Sequence, residues 1–348
     1  MTSVMPQFLL SSSPRHPHVL PDTLTMPAAV LTLVGDKPGR DVPGLPSWVP
    51  DFAPTPQANP IAGPAFASLG KFDASGSQGG AGVGFRVQGR VLHVSGFRLG
   101  HVAKVGVSFT ELSLGTLDGF FAVARAMSPV YAPTGQPRGE ALWRALLFDQ
   151  DMSNRPAAAA HGAGFRNLLV LLLFHGLRRA YVAGGRTDAA LQDYLSACGP
   201  VFELAAAGED NPLCMFPPRS LLERICRRVG FLPALGADDG LLEGPALAAW
   251  VKEALPGATT SQMLMGTSLP YRRLVLLEDG YLGMAPESVA EGDEVWIVSG
   301  CLTPLVLRRE DGEEAQGAYS LAGEAYVHGV MYGEAVKPDV EWQEIQLI

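Results

Sequence analysis

The sequence predicts an α+β protein, with a small antiparallel β barrel built from two separated strand regions and a helical insertion between them. Residues 83–105 and 271–336 predict the strands, because short β-branched and aromatic runs there are separated by Gly-, Asp- and Arg-containing turns. Between these regions, apolar residues recur every three or four positions, which is typical of amphipathic helices. One β core with inserted helices is the simplest packing of this order, although two separate β pieces fit the same pattern.

This interpretation divides the chain into four regions. Residues 1–44, rich in Pro and Ser, predict an irregular N-terminal arm. Residues 45–108 combine a Pro- and Gly-rich loop with the first β region, in which Gly89-Arg90 predicts a hairpin turn. Residues 109–265 form the predicted helical insertion, and residues 266–348 form the closing barrel region and the C-terminal tail.

Two helices of the insertion can be predicted from local sequence features. Residues 164–181 are apolar nearly all round, which predicts a buried helix. Another helix is expected to begin at Pro245, since proline is favoured in a first turn, and to end at Pro256-Gly257.

Composition limits the classes of function. The chain has 348 residues, of which 47% are hydrophobic and only 18% charged, with a formal net charge of −9. Nucleic acid is not an expected partner, because phosphates require a basic face. A low surface charge instead favours an apolar small molecule or a protein as the partner, and it is compatible with a homo-oligomer.

Cysteine usage and the N-terminus indicate a cytoplasmic protein. The four cysteines, at positions 198, 214, 226 and 301, fit neither a CxxC pair nor a zinc pattern, and Cys198 and Cys226 fall in apolar helix stripes where buried free thiols are expected. The first 22 residues lack the basic and apolar regions of a secretory signal. The apolar run at Leu168–Phe174 is too short to cross a bilayer, so no membrane span is expected.

No cofactor or metal is expected either. The glycine-rich stretch at Gly76–Gly84 precedes a predicted strand, whereas a phosphate-binding loop precedes a helix. The chain has no HExxH and no GxSxG sequence.

The densest group of polar residues lies near the C-terminus. Glu324, Tyr326 and His328 alternate along a predicted strand and therefore share one face, and Tyr332 and Glu334 follow. His328 and Glu324 are the catalytic candidates, as a general acid/base pair, although an extended strand would hold them about 13–14 Å apart. A structural role for the imidazole at a barrel seam is the favoured alternative.

Further candidates come from outside this strand. Asp51 is a third catalytic candidate, because a carboxylate across the barrel mouth would orient the imidazole of His328. Trp48, Tyr326, Tyr332 and Tyr281 are the candidate binding residues.

Several phrases of the chain resemble a known family. LPSWVPDF at Leu45–Phe52, RVLHVSGFRLGHVAKVG at Arg90–Gly106 and LAGEAYVHGVMYGEA at Leu321–Ala335 are similar to the C-terminal region of fungal heterokaryon-incompatibility (HET) proteins. Tyr332 departs from that pattern, where an acidic residue usually follows the methionine. HET proteins carry a TIR-like N-terminal domain to which their toxicity is credited. We expect that domain to be missing from this chain, and therefore expect no NAD cleavage.

Two functional hypotheses follow. The first is a soluble, cytoplasmic, HET-related binding or recognition module without the toxic NAD-cleaving domain. The alternative is an acid/base enzyme, a cyclase or an isomerase, that acts on an apolar small molecule in fungal specialised metabolism.

Overall fold

The structure, a computed structural model, describes residues 31, 44–50, 60–61, 72–76, 85–113, 116–151, 156–206, 216–228, 245–310 and 317–348. Within these ranges the chain forms eight helices and eleven strands. The helices are α1 (Phe109–Ser113), α2 (Asp118–Ala126), α3 (Arg138–Leu146), α4 (His161–Ala183), α5 (Asp188–Ala197), α6 (Gly199–Ala206), α7 (Arg219–Arg228) and α8 (Pro245–Ser268). The strands are β1 (Arg86–Gln88), β2 (Val91–Ser108), β3 (Val130–Tyr131), β4 (Gln136–Pro137), β5 (Arg272–Leu277), β6 (Leu282–Pro286), β7 (Glu294–Val298), β8 (Leu305–Arg309), β9 (Ala318–Glu324), β10 (Tyr326–Val327) and β11 (Gln343–Leu347).

Five strands close into a barrel in the order β2-β11-β9-β8-β7, and the pairing of β7 with β2 completes the ring. The barrel is mixed, so the prediction of an antiparallel barrel is wrong. The last strand, β11, pairs antiparallel with β2 but parallel with β9, with Gln346 opposite Ala318. The reason is the connection between β9 and β11, because a chain that returns to the end where β9 began must run parallel to it.

The two predicted strand regions belong to one sheet system, which confirms that expectation. Strand β2 has 18 residues and pairs with β11 near its start, with β7 over Gly96–His101 and with β5 over Val102–Ser108. Strands β5, β6 and β10 therefore extend from the barrel as a side sheet. Gly96 of β2 lies where an added Cβ would approach the Ile297 carbonyl oxygen to 2.8 Å, so this crossing requires glycine.

Within the part of the chain that the structure describes, the buried apolar residues form three clusters. One occupies the barrel and includes Val94, Trp296, Leu305 and Ile345. A second lies between the barrel and the side sheet, and the largest joins the helices to β5 and β6.

Helix α8 does not end at Pro256-Gly257, as the sequence predicted, but continues to Ser268. Gly257 has a φ of +89°, a conformation that glycine adopts without strain. Its backbone packs against Gly164 of α4, where an added Cβ would lie 2.8 Å from the Gly257 carbonyl carbon. Packing against α4 therefore maintains a helix that local propensity would stop.

None of the described helices is both long enough and apolar enough to span a membrane.

Candidate functional site

The polar residues predicted near the C-terminus form two separate clusters at the end of the barrel. Glu324 ends β9 and His328 follows β10, and both side chains are buried. The structure pairs each of them with a different set of partners, so they share no hydrogen bond.

The first cluster surrounds the carboxylate of Glu324. Its Oε1 accepts hydrogen bonds from the Arg272 guanidinium at 3.1 Å and from the Ile61 backbone N–H, and the Thr303 hydroxyl lies 3.2 Å from its Oε2. Arg272 and Glu324 are exposed by only 2% and 4% of their side-chain surfaces, so this ion pair is inside the protein. Burial raises the pKa of Glu324 to about 7, although Arg272, Ile61 and Thr303 favour its ionised form.

The ring of Phe148 links the two clusters. The Arg272 guanidinium lies 5.5 Å from the centre of this ring, and the ring of Tyr326 stacks on it at 5.1 Å. Phe148 and Asp149 have φ values of 53° and 51°, a left-handed conformation that is uncommon for residues other than glycine. This backbone conformation places Phe148 against both the cation and the tyrosine.

The second cluster surrounds the imidazole of His328. Its Nε2 lies 2.7 Å from Gln136 Oε1, and its Nδ1 lies 3.1 Å from the Tyr326 hydroxyl. Because an amide oxygen only accepts, Nε2 carries the proton and Nδ1 accepts from Tyr326. Burial and then the nearby charge of Arg144 lower the pKa of His328 to about 4, so the imidazole is neutral at neutral pH.

Tyr131, in the short β3–β4 hairpin, connects this imidazole to the side sheet. Its hydroxyl donates to the His328 carbonyl oxygen at 2.7 Å and accepts from the Leu282 N–H at 3.0 Å. The His328 N–H donates in turn to the Leu282 carbonyl oxygen at 2.9 Å. The tyrosine ring stacks on the imidazole with centroids 5.5 Å apart. His328 therefore joins the hairpin, β6 and the turn after β10.

The remaining predicted site residues are dispersed. Trp48 donates from Nε1 to the Arg90 carbonyl oxygen at 3.0 Å and packs against the apolar cluster of the barrel. Tyr332 is 49% exposed and lies 5.7 Å from the ring of Phe72. Tyr281 is partly buried beside the β5–β6 turn, where burial and then Asp279 raise its pKa. Asp51 lies outside the described residues.

Sequence reasoning missed most of the partners in these clusters. Arg272 had one available signal in the sequence. It is a cation at the start of a predicted strand that continues with the apolar run LVLL. Gln136 and Tyr131 had none, because they flank a Pro- and Gly-containing turn whose position relative to His328 depends on the fold. Ile61 gave no signal as a partner of Glu324, because it donates from its backbone N–H, which every residue except proline carries.

Other reactive groups in the described part of the chain do not add a catalytic centre. Cys198, Cys226 and Cys301 are buried free thiols, as expected for the first two. Burial raises the pKa of Cys198 to about 11 and that of Cys226 to about 12, so neither is a thiolate at neutral pH. Among the described residues, no three His, Cys, Asp or Glu side chains are grouped closely enough to hold a metal ion.

Comparisons with known proteins find a similarity in the C-terminal part of the chain, which contains four of the five barrel strands. Residues 247–347 match the family described as the Het-6 beta-barrel domain. The heterokaryon incompatibility protein 6, OR allele, of Neurospora crassa is 43% identical over 63 residues, which are 18% of this chain and 9% of that protein. No solved structure gives a significant match to the chain. The C-terminal part is therefore similar to the Het-6 beta-barrel domain, and a short part of the chain is similar to a heterokaryon incompatibility protein.

Proposed function

We propose that this chain is a recognition module, related to heterokaryon incompatibility proteins, which binds a protein partner and does not perform acid/base chemistry. The similarity to a Het-6 barrel domain supports the relationship. One observation supports binding over catalysis. The two best acid/base candidates, Glu324 and His328, are buried and hydrogen-bonded to other residues of the protein.

The two candidate groups are engaged in different ways. His328 is neutral, and its two ring nitrogens are occupied by Gln136 and Tyr326. Glu324 has a pKa near 7, which would suit a general acid, but its oxygens are enclosed by Arg272, Ile61 and Thr303. A general acid or base needs a substrate proton within hydrogen-bond reach, and these side chains already have partners in that reach.

Exposed aromatic residues near the C-terminus are better candidates for recognition. Tyr332 is 49% exposed and Trp342 is 38% exposed, and each is supported by a phenylalanine beneath it, Phe72 and Phe97 respectively. Tyrosine and tryptophan are enriched among residues that dominate binding energy, and a supported ring loses little conformational entropy on binding.

The test uses purified full-length chain and three variants, Tyr332→Ala, Trp342→Ala and His328→Gln. Partners are first identified by affinity purification from a fungal extract with the wild-type chain. The binding affinity of each purified partner is then measured for all four proteins. The same four proteins are incubated with small-molecule extracts, and metabolite changes are followed by mass spectrometry.

If the chain is a recognition module, Tyr332→Ala or Trp342→Ala should lower the binding affinity for a purified partner by tenfold or more. The reason is that loss of a binding hot spot costs about 2 kcal/mol or more. His328→Gln should leave the affinity unchanged as long as the variant remains folded. Consumption of a metabolite by the wild-type chain and not by folded His328→Gln would instead establish the enzyme hypothesis and overturn the proposal.

A further inference from the structure

Tyr332 lies at the outer end of a row of aromatic rings. Its ring is 5.7 Å from that of Phe72, and Phe72 contacts the ring of Tyr326 at 6.2 Å. Tyr326 in turn stacks on Phe148, and all three supporting rings are buried. Because these rings hold it in position, the half-exposed ring of Tyr332 loses little conformational freedom when a partner binds to it.

A carboxylate is fixed beside this ring. Glu334 Oε2 accepts a hydrogen bond from the Tyr332 N–H at 2.7 Å, and Glu334 is exposed to solvent. Within the described part of the chain Glu334 forms no ion pair, and Lys337, three residues later, does not pair with it. An ionised carboxylate accepts several hydrogen bonds, so a partner can donate to Glu334 without displacing the Tyr332 N–H.

The charges around Tyr332 are mainly negative. Burial, and then the charges of Asp149 and Glu334, raise the pKa of its hydroxyl. Arg144 lies 2.5 Å from Asp149 and also pairs with Glu140, so its charge is already compensated. Three carboxylates beside one guanidinium leave an excess of negative charge at this surface, and the whole chain has a formal net charge of −9. Charge complementarity therefore favours a cationic group on the partner.

We propose that Tyr332 and Glu334 form a binding site for an arginine side chain of a partner protein. A guanidinium is attracted to the negative face of an aromatic ring and stacks on it, while its N–H groups donate to a carboxylate. Lysine carries the same charge but lacks the planar donors, so it fits this combination less well. The inference rests on the proposed recognition function and adds the chemistry that the partner presents at Tyr332.

An NMR titration of the full chain tests the site without a purified partner. The probe is Nα-acetyl-arginine methylamide. The matched control probe is Nα-acetyl-citrulline methylamide, which has nearly the same shape without the charge, and Nα-acetyl-lysine methylamide tests the preference for arginine. The chain carries carbon-13-labelled tyrosine and phenylalanine, and the ring resonances of Tyr332 and Phe72 report binding at constant ionic strength.

Four variants are titrated beside the wild type. Tyr332→Leu removes the aromatic ring, and Glu334→Gln removes the charge of the fixed carboxylate. Tyr332→Phe is the control that keeps the ring. Glu291→Gln is the control for charge, because it removes an exposed carboxylate in the turn between β6 and β7. The Phe72 ring remains as a reporter in all four variants.

The wild type should bind the arginine probe roughly two- to fivefold more tightly than the citrulline probe. Tyr332→Leu and Glu334→Gln should each weaken arginine binding by a similar factor, as expected for loss of an exposed cation–π contact or ion pair. Tyr332→Phe and Glu291→Gln should bind as the wild type does. The proposal is overturned if the citrulline or lysine probe binds as tightly as arginine, if Glu334→Gln binds like Glu291→Gln, or if no probe shifts these resonances.

The outcomes also separate this inference from the recognition function. If the arginine probe does not bind but Tyr332→Ala still lowers the affinity for a purified partner, recognition stands and the arginine site is overturned. If the probe binds as expected but no partner protein is found, the arginine site stands and the recognition of a protein partner fails.

Discussion

Two buried polar side chains, four residues apart in sequence, are stabilised in this protein by opposite means. Glu324 is held by a cation and by backbone and hydroxyl donors, whereas His328 is held by neutral partners alone. Burial disfavours the charged form of both, which raises the pKa of the acid to about 7 and lowers that of the base to about 4. Similar burial therefore creates one site that can change its charge near neutral pH and one that cannot.

The difference also explains why Glu324 and His328 do not form a catalytic pair although they are close in sequence. Ala325 and Val327 pack into the cluster between barrel and side sheet, while Tyr326 belongs to the helical cluster. Glu324 therefore contacts Arg272 of β5, Ile61 and Thr303, and His328 contacts the β3–β4 hairpin. Each site therefore connects a different pair of regions, β9 with β5 at Glu324 and the turn after β10 with the β3–β4 hairpin at His328.

The largest effect is expected from removal of the charge partner in the first cluster. Arg272→Met should lower the free energy of unfolding by about 3–5 kcal/mol, because it leaves Glu324 buried without its cation. The double variant Arg272→Met/Glu324→Leu should recover part of that loss, and urea unfolding measures both. A loss below about 1 kcal/mol in the single variant would contradict a buried charge pair, since such small losses are typical of exposed pairs.

A smaller loss is expected in the second cluster, where no charge is left uncompensated. His328→Ala should cost about 2–3 kcal/mol, since it removes the partner of the buried Tyr326 hydroxyl and one of the two partners of Gln136 Oε1. Tyr131→Phe is the matched control and should cost about 1–2 kcal/mol, because it removes only the hydroxyl between His328 and Leu282. If His328→Ala proved costlier than Arg272→Met, the ranking of the two clusters would be reversed.

The two clusters should give pH dependences of opposite sign. The lowered pKa of His328 contributes stability that is present above pH 6.5 and is lost as pH falls towards 4. The raised pKa of Glu324 contributes stability that is present below pH 4.5 and is lost as pH rises through 7.

Single variants should separate these contributions. Between pH 4.5 and 6.5, the unfolding free energy of Glu324→Gln should rise with pH, and that of His328→Gln should fall with pH, each by at most about 1.4 kcal/mol per pH unit relative to the wild type. Chemical unfolding at several pH values measures the slopes. Equal slopes in the two variants would show that these groups do not titrate as described.

The smallest effect is expected for a hydrogen bond that lies outside both clusters. Trp48→Phe removes the bond to the Arg90 carbonyl oxygen while it keeps an aromatic ring against the barrel cluster, so the loss should be about 1 kcal/mol. Thermal unfolding with His328→Ala measured in parallel provides the comparison. A loss as large as that of His328→Ala would mean that Trp48 anchors the chain more strongly than the buried imidazole does.

Local patterns were sufficient for the strands within residues 83–105 and 271–336, and for one pair of site residues, but they missed β3, β4 and β11. The turn at Gly89-Arg90 joins β1 to β2 as predicted, with Gly89 at a φ of 61°. Tyr326 and His328 were expected on one face, and they share a hydrogen bond. Both results depend on residues that are close in sequence, where side-chain alternation and turn chemistry decide the geometry.

Partners distant in sequence were not predictable from such patterns. Glu324 is paired with Arg272, 52 residues away, and with Ile61, 263 residues away. Strand β2 belongs to the closed barrel although it lies outside residues 247–347, the part similar to a Het-6 barrel domain. The sequence predicted a barrel built from both strand regions, but no local feature of β2 indicates which of the later strands pair with it.

The sequence by itself determined the order of strands, helices and strands and the apolar character of the helical core, because both follow from hydrophobic periodicity and turn residues. It favoured one sheet system without excluding two, and the pairing of β2 with β5 and β7 decided for one. Only the tertiary structure decided the parallel direction of β11, the continuation of α8 beyond Pro256-Gly257 and the separation of Glu324 from His328. These outcomes depend on which distant surfaces pack together. Burial and long-range hydrogen bonds then override local propensity and assign each polar side chain its partners.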